Sequence, residues 1–117
     1  MKFRFEDLII WQKGMDLGEE MNELARSFPK QELYNLSSQH KRSSDSIALN
    51  ISEGSILQSG PGYRKFLGYS IRSLAEVVTC LHKTSRRNYL KEEEFLKYYK
   101  NCFDLMNITI AFRNKIK

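Results

Sequence analysis

Apolar residues return every three or four positions along nearly the whole chain, the spacing that gives a helix one apolar side. Leu8, Trp11, Met15, Gly18, Met21 and Ala25 trace such a line and predict a first helix. Asp7 is its expected N-cap, and Pro29 stops it just past Phe28. Gly14 and Gly18 would weaken this helix in isolation, so their presence predicts close approach of a neighbouring helix. A second helix is expected from about Asn35 to Leu57, before the breaker Ser59-Gly60-Pro61-Gly62. A third starts near Gly62 and continues to about Arg87, with its stripe at Tyr63, Phe66 or Leu67, Ser70, Leu74, Val77, Leu81 and Thr84. The fourth has the cleanest pattern, Phe95, Tyr98, Cys102, Leu105, Thr109, Phe112 and Ile116. No segment alternates with period two for long enough to make a strand. Helices of roughly 20 to 25 residues are about 30 to 38 Å long, and short turns between matched lengths favour antiparallel packing. The pattern thus predicts an all-α fold: an antiparallel up-down-up-down four-helix bundle, with residues 1–117 as a single domain.

The second helix departs from the pattern. Gln39, Ser43, Ser46, Asn50 and Glu53 have heptad spacing, yet all are polar, with Ile47, Ala48 and Ile51 beside them. Such a stripe is either a solvated face or a structural stripe buried against a helix or another subunit. In the second case every polar group needs a partner. Glu76, on the third helix, joins the stripe as one such partner, and Arg42 is another.

Charge changes the picture next. The formal net charge is +5, with 41% hydrophobic and 28% charged residues, an ordinary globular composition that leans toward anionic partners. It is unevenly spread. Asp16, Glu19, Glu20 and Glu23 lie on the first helix, whereas Lys83, Arg86, Arg87 and Lys91 gather at the turn between the third and fourth. Lys41, Arg42, Arg64, Lys65 and Arg72 add positive charge in the middle. These are either ordinary solvated surfaces, or complementary faces for head-to-tail assembly and a basic surface that follows phosphates.

Little in the chain points to chemistry. His40 and His82 stand on different helices and neither belongs to a Glu-x-x-His pair, which argues against a di-metal carboxylate site. Gly60-Pro61-Gly62 lacks the Lys-Ser/Thr of a phosphate loop. Cys80 and Cys102 have no CxxC spacing and read as reduced, buried thiols. Glu53 and Glu76 could be imagined as a carboxylate pair, but a structural role suits them better. No catalytic residue, metal site or cofactor is expected, and the protein is read as a non-enzyme. The charged segment Met1 to Asp7 lacks the apolar stretch of a signal peptide, and no window approaches a membrane span, so a cytoplasmic location is expected. Asn-x-Ser/Thr matches at Asn35, Asn50 and Asn107 would then never meet the glycosylation machinery.

Several stretches taken together resemble a known family. Phe5-Glu6-Asp7-Leu8 with Trp11-Gln12-Lys13 is similar to the opening motif of the four-helix bundle proteins encoded in intervening sequences of 23S rRNA genes. Phe28-Pro29, Glu32, Leu36, Gln39 and Arg42 continue the match. Ser46-Ile47, Asn50-Ile51 and Glu53-Gly54 resemble its most recognisable segment, and Phe66-Leu67, Ser73-Leu74, Glu76 and Thr79 fall where its third helix would place them. The resemblance implies a four-helix protomer and a homo-oligomer, a ring of five being the best guess. The accessory protein of diversity-generating retroelements is similar to this family and is associated with nucleic-acid binding through a basic surface. His40-Lys41 and Ser43 replace a more basic and apolar stretch, Arg72 stands where a small residue is usual, and Asn22 where Tyr is common.

The leading expectation is therefore an oligomer that binds nucleic acid, RNA favoured, by backbone charge and shape. Its candidate contacts are Lys41, Arg42, Arg64, Lys65, Arg72, Lys83, Arg86, Arg87 and Lys91, and replacing Arg86 and Arg87 together is expected to weaken the salt dependence without harming the fold. The alternative is a protein–protein adaptor or scaffold ring without direct nucleic-acid binding.

Overall fold

The computed structural model describes residues 1–117. Four helices follow one another: α1 (Ile9–Arg26), α2 (Leu36–Ser55), α3 (Gly60–Arg86) and α4 (Glu92–Asn114). Single 3-10 turns at Arg4–Asp7 and Lys30–Glu32 precede α1 and α2. There are no strands. Each helix packs on its chain neighbours, and α1 also meets α4, so the four stand at the corners of a square in the expected up-down-up-down order.

The core is one cluster through the middle of this square. Ile10, Leu17 and Met21 of α1 meet Leu36, Ile47 and Ile51 of α2, Leu67, Leu74, Val77 and Leu81 of α3, and Cys102 and Leu105 of α4. The stripes expected for the third and fourth helices therefore face inward, with Leu67 rather than Phe66 fully buried. The expected line of the first helix is inward at Gly18, Met21 and Ala25, and half-buried at Leu8 and Trp11. The buried face is wider than that line, taking in Ile10, Gly14, Leu17 and Leu24 as well, while Met15 is 43% exposed. Both lines pass through a glycine, Gly14 or Gly18, and α1 buries the two together, leaving only Met15 of the expected line turned to solvent. A Cβ on Gly14 would sit 3.2 Å from the Ile47 Cγ2, so the glycine is what lets α1 approach α2, as its position predicted.

The ends of the helices differ in detail. Asp7 is not the N-cap of α1. Leu8 occupies that position without a side-chain cap, and the Asp7 carboxylate accepts from Lys2 Nζ at 2.7 Å. The 3-10 turn Arg4–Asp7 carries Asp7 one residue too early to reach the free amides of the helix. Glycine and proline begin α3 rather than delaying it. Ser59 Oγ accepts the Gly62 amide at 3.1 Å, and Pro61 sits in the first turn, where its missing N–H costs nothing.

Candidate nucleic-acid interface

On α3, Lys65, Arg72, Thr79 and Arg86 are spaced by seven residues, and Glu76 and Lys83 fall beside that line. All six are exposed, so this is the solvent side of the helix. Arg42 of α2 shares one depression with Gln39, Glu76, Thr79, Cys80 and Lys83. Arg72 shares the adjoining one with Asn50, Tyr69, Ser73 and Glu76. Of the nine basic candidates, the fold thus gathers Arg42, Lys65, Arg72, Lys83 and Arg86 on the α2–α3 side. None of the five makes a salt bridge. Lys65 and Arg72 lie over the Tyr69 ring, at 5.9 and 5.0 Å from its centroid, which holds the two cations near each other.

The other four are placed elsewhere. Lys41 falls on the edge of α2 that carries Ser44 and Ala48, which line a groove with α1. Arg64 donates to the Ile116 carbonyl at 2.9 Å and fastens the end of the chain to α3. Lys91 is the exposed N-cap position of α4. Arg87 is committed to structure: its Nη1 donates to both oxygens of Glu32, at 2.9 and 3.0 Å, and Tyr89 donates to the same carboxylate at 2.8 Å. The Tyr89 hydroxyl and the Arg87 guanidinium hold the Glu32 carboxyl below its ordinary range. Replacing Arg86 and Arg87 together would therefore disturb the fold as well as any binding surface.

The polar stripe of α2 faces α3. Ser43 is buried, Gln39, Ser46 and Asn50 are half-buried, and Glu53 and Glu76 are exposed. The buried hydroxyls find partners on their own helix. Ser43 Oγ donates to the Gln39 carbonyl at 2.7 Å, and Asn50 Nδ2 donates to the Ser46 carbonyl at 2.8 Å. The Ser46 hydroxyl meets that of Ser73, which donates to the Tyr69 carbonyl. Arg42 and Glu76, expected as partners of this stripe, pair with none of it. Small side chains that satisfy themselves let two helices pack closely without a charged lock. Gly54 closes the same seam, since a Cβ there would meet the Phe66 Cβ at 2.8 Å.

Deeper in, His40 is fully buried between Phe28 and Thr84. Its Nε2 lies 2.7 Å from Thr84 Oγ1, whose own proton goes to the Cys80 carbonyl, so Nε2 carries the imidazole hydrogen. Nδ1 has no partner. Burial lowers the His40 pKa to about 4 and pushes the Cys102 thiol up to about 12. A neutral imidazole and two un-ionised thiols are core packing, not a nucleophile and its base. No three His, Cys, Asp or Glu side chains cluster as metal ligands, and no helix is long and apolar enough to cross a membrane. Sequence reasoning missed His40, because a histidine among serines carries no burial signal of its own.

Known proteins sharpen the picture. A crystal structure of a protein of unknown function from the S23 ribosomal protein family, from Bacteroides thetaiotaomicron, superposes with a TM-score of 0.83. It is 20% identical and covers 90% of this chain and 98% of its own, a likeness of fold. Among curated proteins, none matches the chain. The residues that resemble the intervening-sequence proteins run from Phe5 to Thr79 of α3, and the family model described as 23S rRNA-intervening sequence protein matches residues 6–111. With nearly the whole bundle inside that match, the chain belongs to the 23S rRNA-intervening sequence protein family.

Proposed function

We propose that this protein is a non-enzymatic homo-oligomer, with five subunits as the best guess, that binds nucleic acid, RNA in preference, along the α2–α3 side of each bundle. One observation carries this reading: Arg42, Lys65, Arg72, Lys83 and Arg86 are exposed and free of salt bridges on a single side. From Lys65 to Arg86 the line runs about 32 Å along α3 at 1.5 Å per residue. Cations in this arrangement neutralise backbone phosphates and read no base edges. Glu53 and Glu76 interrupt the positive surface, so one protomer binds weakly and repetition around an oligomer supplies the affinity.

The test is a titration of labelled single-stranded RNA and DNA at several salt concentrations. Affinity is expected to fall steeply with salt, by about 0.7 to 0.9 log units per log unit of salt for each phosphate neutralised. Arg72→Ala with Arg86→Ala flattens that slope and leaves the helical spectrum unchanged. If neither nucleic acid binds at low salt, or the variant keeps the full slope, the adaptor reading takes over. Exposed apolar residues on α4, including Leu96 and Phe103, are the observation that favours it.

A further inference from the structure

The α4 helix is apolar on two sides. Its inner line belongs to the core. Its outer line, Leu96, Tyr99, Phe103, Met106 and Ile110, follows a heptad, and all but the half-buried Met106 are at least 38% exposed. Tyr99 leans toward α3, where its ring lies 6.1 Å from that of His82. A second unpartnered apolar surface is the groove between α1 and α2. Trp11, Met15, Ala48 and Leu49 line it, Gly14 and Gly18 form its floor, and Met15 and Leu49 are 43% and 58% exposed. Because the helices stand in chain order around a square, the α1–α2 and α3–α4 sides are opposite each other. Patches this extensive and this exposed mark contact surfaces on soluble proteins.

Charge distinguishes the two surfaces. Glu19 and Asp45 line the α1–α2 groove, and neither forms a salt bridge. The α4 stripe is flanked by Lys100, which pairs with Asp104 at 2.8 Å, and by the half-buried Arg113, whose Nε donates to the Arg64 carbonyl at 2.8 Å and which has no carboxylate partner. We propose that the outer stripe of α4 in one protomer packs into the α1–α2 groove of the next, with Lys100 at the flank of the stripe toward Glu19 and Asp45. This pairing rests on the self-association in the reading above and names the surfaces that make it. A groove and a stripe on different sides give a heterologous contact, which repeats from subunit to subunit and forms a ring where the rotation between neighbours closes. A bundle of 44 × 24 × 22 Å offers a side of roughly 1,000 Å², enough for the 800 Å² per partner of a stable interface. In such a ring the α2–α3 side stays uncovered on every subunit, which leaves its cations free.

The experiment uses light scattering on the full chain and on two variants, Phe103→Glu and Leu49→Glu. Both side chains are exposed in the protomer, so helical content should match the wild type. The wild type is expected as a discrete multiple of 13.8 kDa, and each variant alone as the protomer. Mixed one to one, the variants recover a single interface: the intact α4 of Leu49→Glu fills the intact groove of Phe103→Glu. The mass then doubles and grows no further. A two-fold contact of α4 with α4 predicts instead that Leu49→Glu still dimerises alone, and that result overturns the pairing. So does a mixture that stays at the protomer mass, or an oligomer unchanged by either substitution; both leave self-association standing. A wild type monomeric at every concentration overturns the pairing and the self-association together, while RNA titration of the same samples reports separately on the basic side.

Discussion

The α2 and α4 helices break the usual rule in opposite directions. Inside the bundle, α2 buries Ser37, His40, Ser43 and Ser44, while α4 exposes Leu96, Phe103 and Ile110 to solvent. The two exceptions differ in kind. A buried serine is tolerable because its hydroxyl donates to a carbonyl a turn or so away, as Ser43 does to Gln39 and Ser44 to Lys41 at 3.3 Å. An exposed phenylalanine has no local remedy; only another molecule can cover it. Polarity inside this protomer is therefore resolved by the chain itself, whereas apolarity outside it points to a neighbour.

Substitutions can break that contrast, and the largest effect belongs to the inner line of α4. Leu105 is 2% exposed, so Leu105→Ala should cost about 2 to 5 kcal/mol in denaturant unfolding. A loss under about half a kcal/mol would mean that α4 is not held by that line.

Next comes the one polar group of α2 that local bonding does not satisfy. His40 has a folded pKa of about 4 against an ordinary 6.5. Above pH 6.5 the imidazole is neutral in both states and adds no pH dependence. As pH falls from 6.5 toward 4 the unfolded chain takes up a proton that the folded one refuses, so stability drops by up to about 3 kcal/mol. His40→Gln should remove that slope. Equal pH profiles for the two proteins would show that the site admits the charged ring.

A smaller effect is expected where an acid, rather than a base, is buried. Glu32→Gln weakens the anchor to Arg87 and Tyr89 and should lower the melting temperature at pH 7. The lowered carboxyl pKa stabilises the fold above its ordinary 4.5, and that contribution is lost as pH falls through the folded value. Wild type and variant should therefore converge in acid; a constant gap would assign the loss to shape instead.

The outer surfaces should matter least to the protomer. In the Leu49→Glu background, where assembly through the groove is blocked, Phe103→Ala should change unfolding by less than about half a kcal/mol. Two residues away from Leu105, on the same helix, that result would separate the core line from the contact line. Glu53→Ala should be smaller still within the protomer, because Glu53 is exposed and has no salt-bridge partner. A clear loss would place its carboxylate in a bond formed only on assembly, measurable as a fall in mass by light scattering.

The four helices, their order and the breaks between them were legible in the sequence, because helical period, glycine, proline and chain length are local properties. So were the inner lines of α3 and α4, where every turn supplies a side chain large enough to show the period. Residues 6–111 also carry enough distinctive positions to place the chain in its family. What the tertiary structure decided is which of several local possibilities is used. The buried face of α1 extends beyond the expected line to Ile10, Leu17 and Leu24 and leaves out Met15, and Gly14 sits in it at close quarters with Ile47. The polar stripe of α2 could equally have been solvated, and only the approach of α3 half-buries it. Among nine basic residues, the sequence could not distinguish Arg87, locked to Glu32 from a segment 55 residues away, from Arg86 beside it, which has no salt-bridge partner. Those distinctions depend on what another helix brings within a few ångströms, and spacing along the chain does not encode that distance.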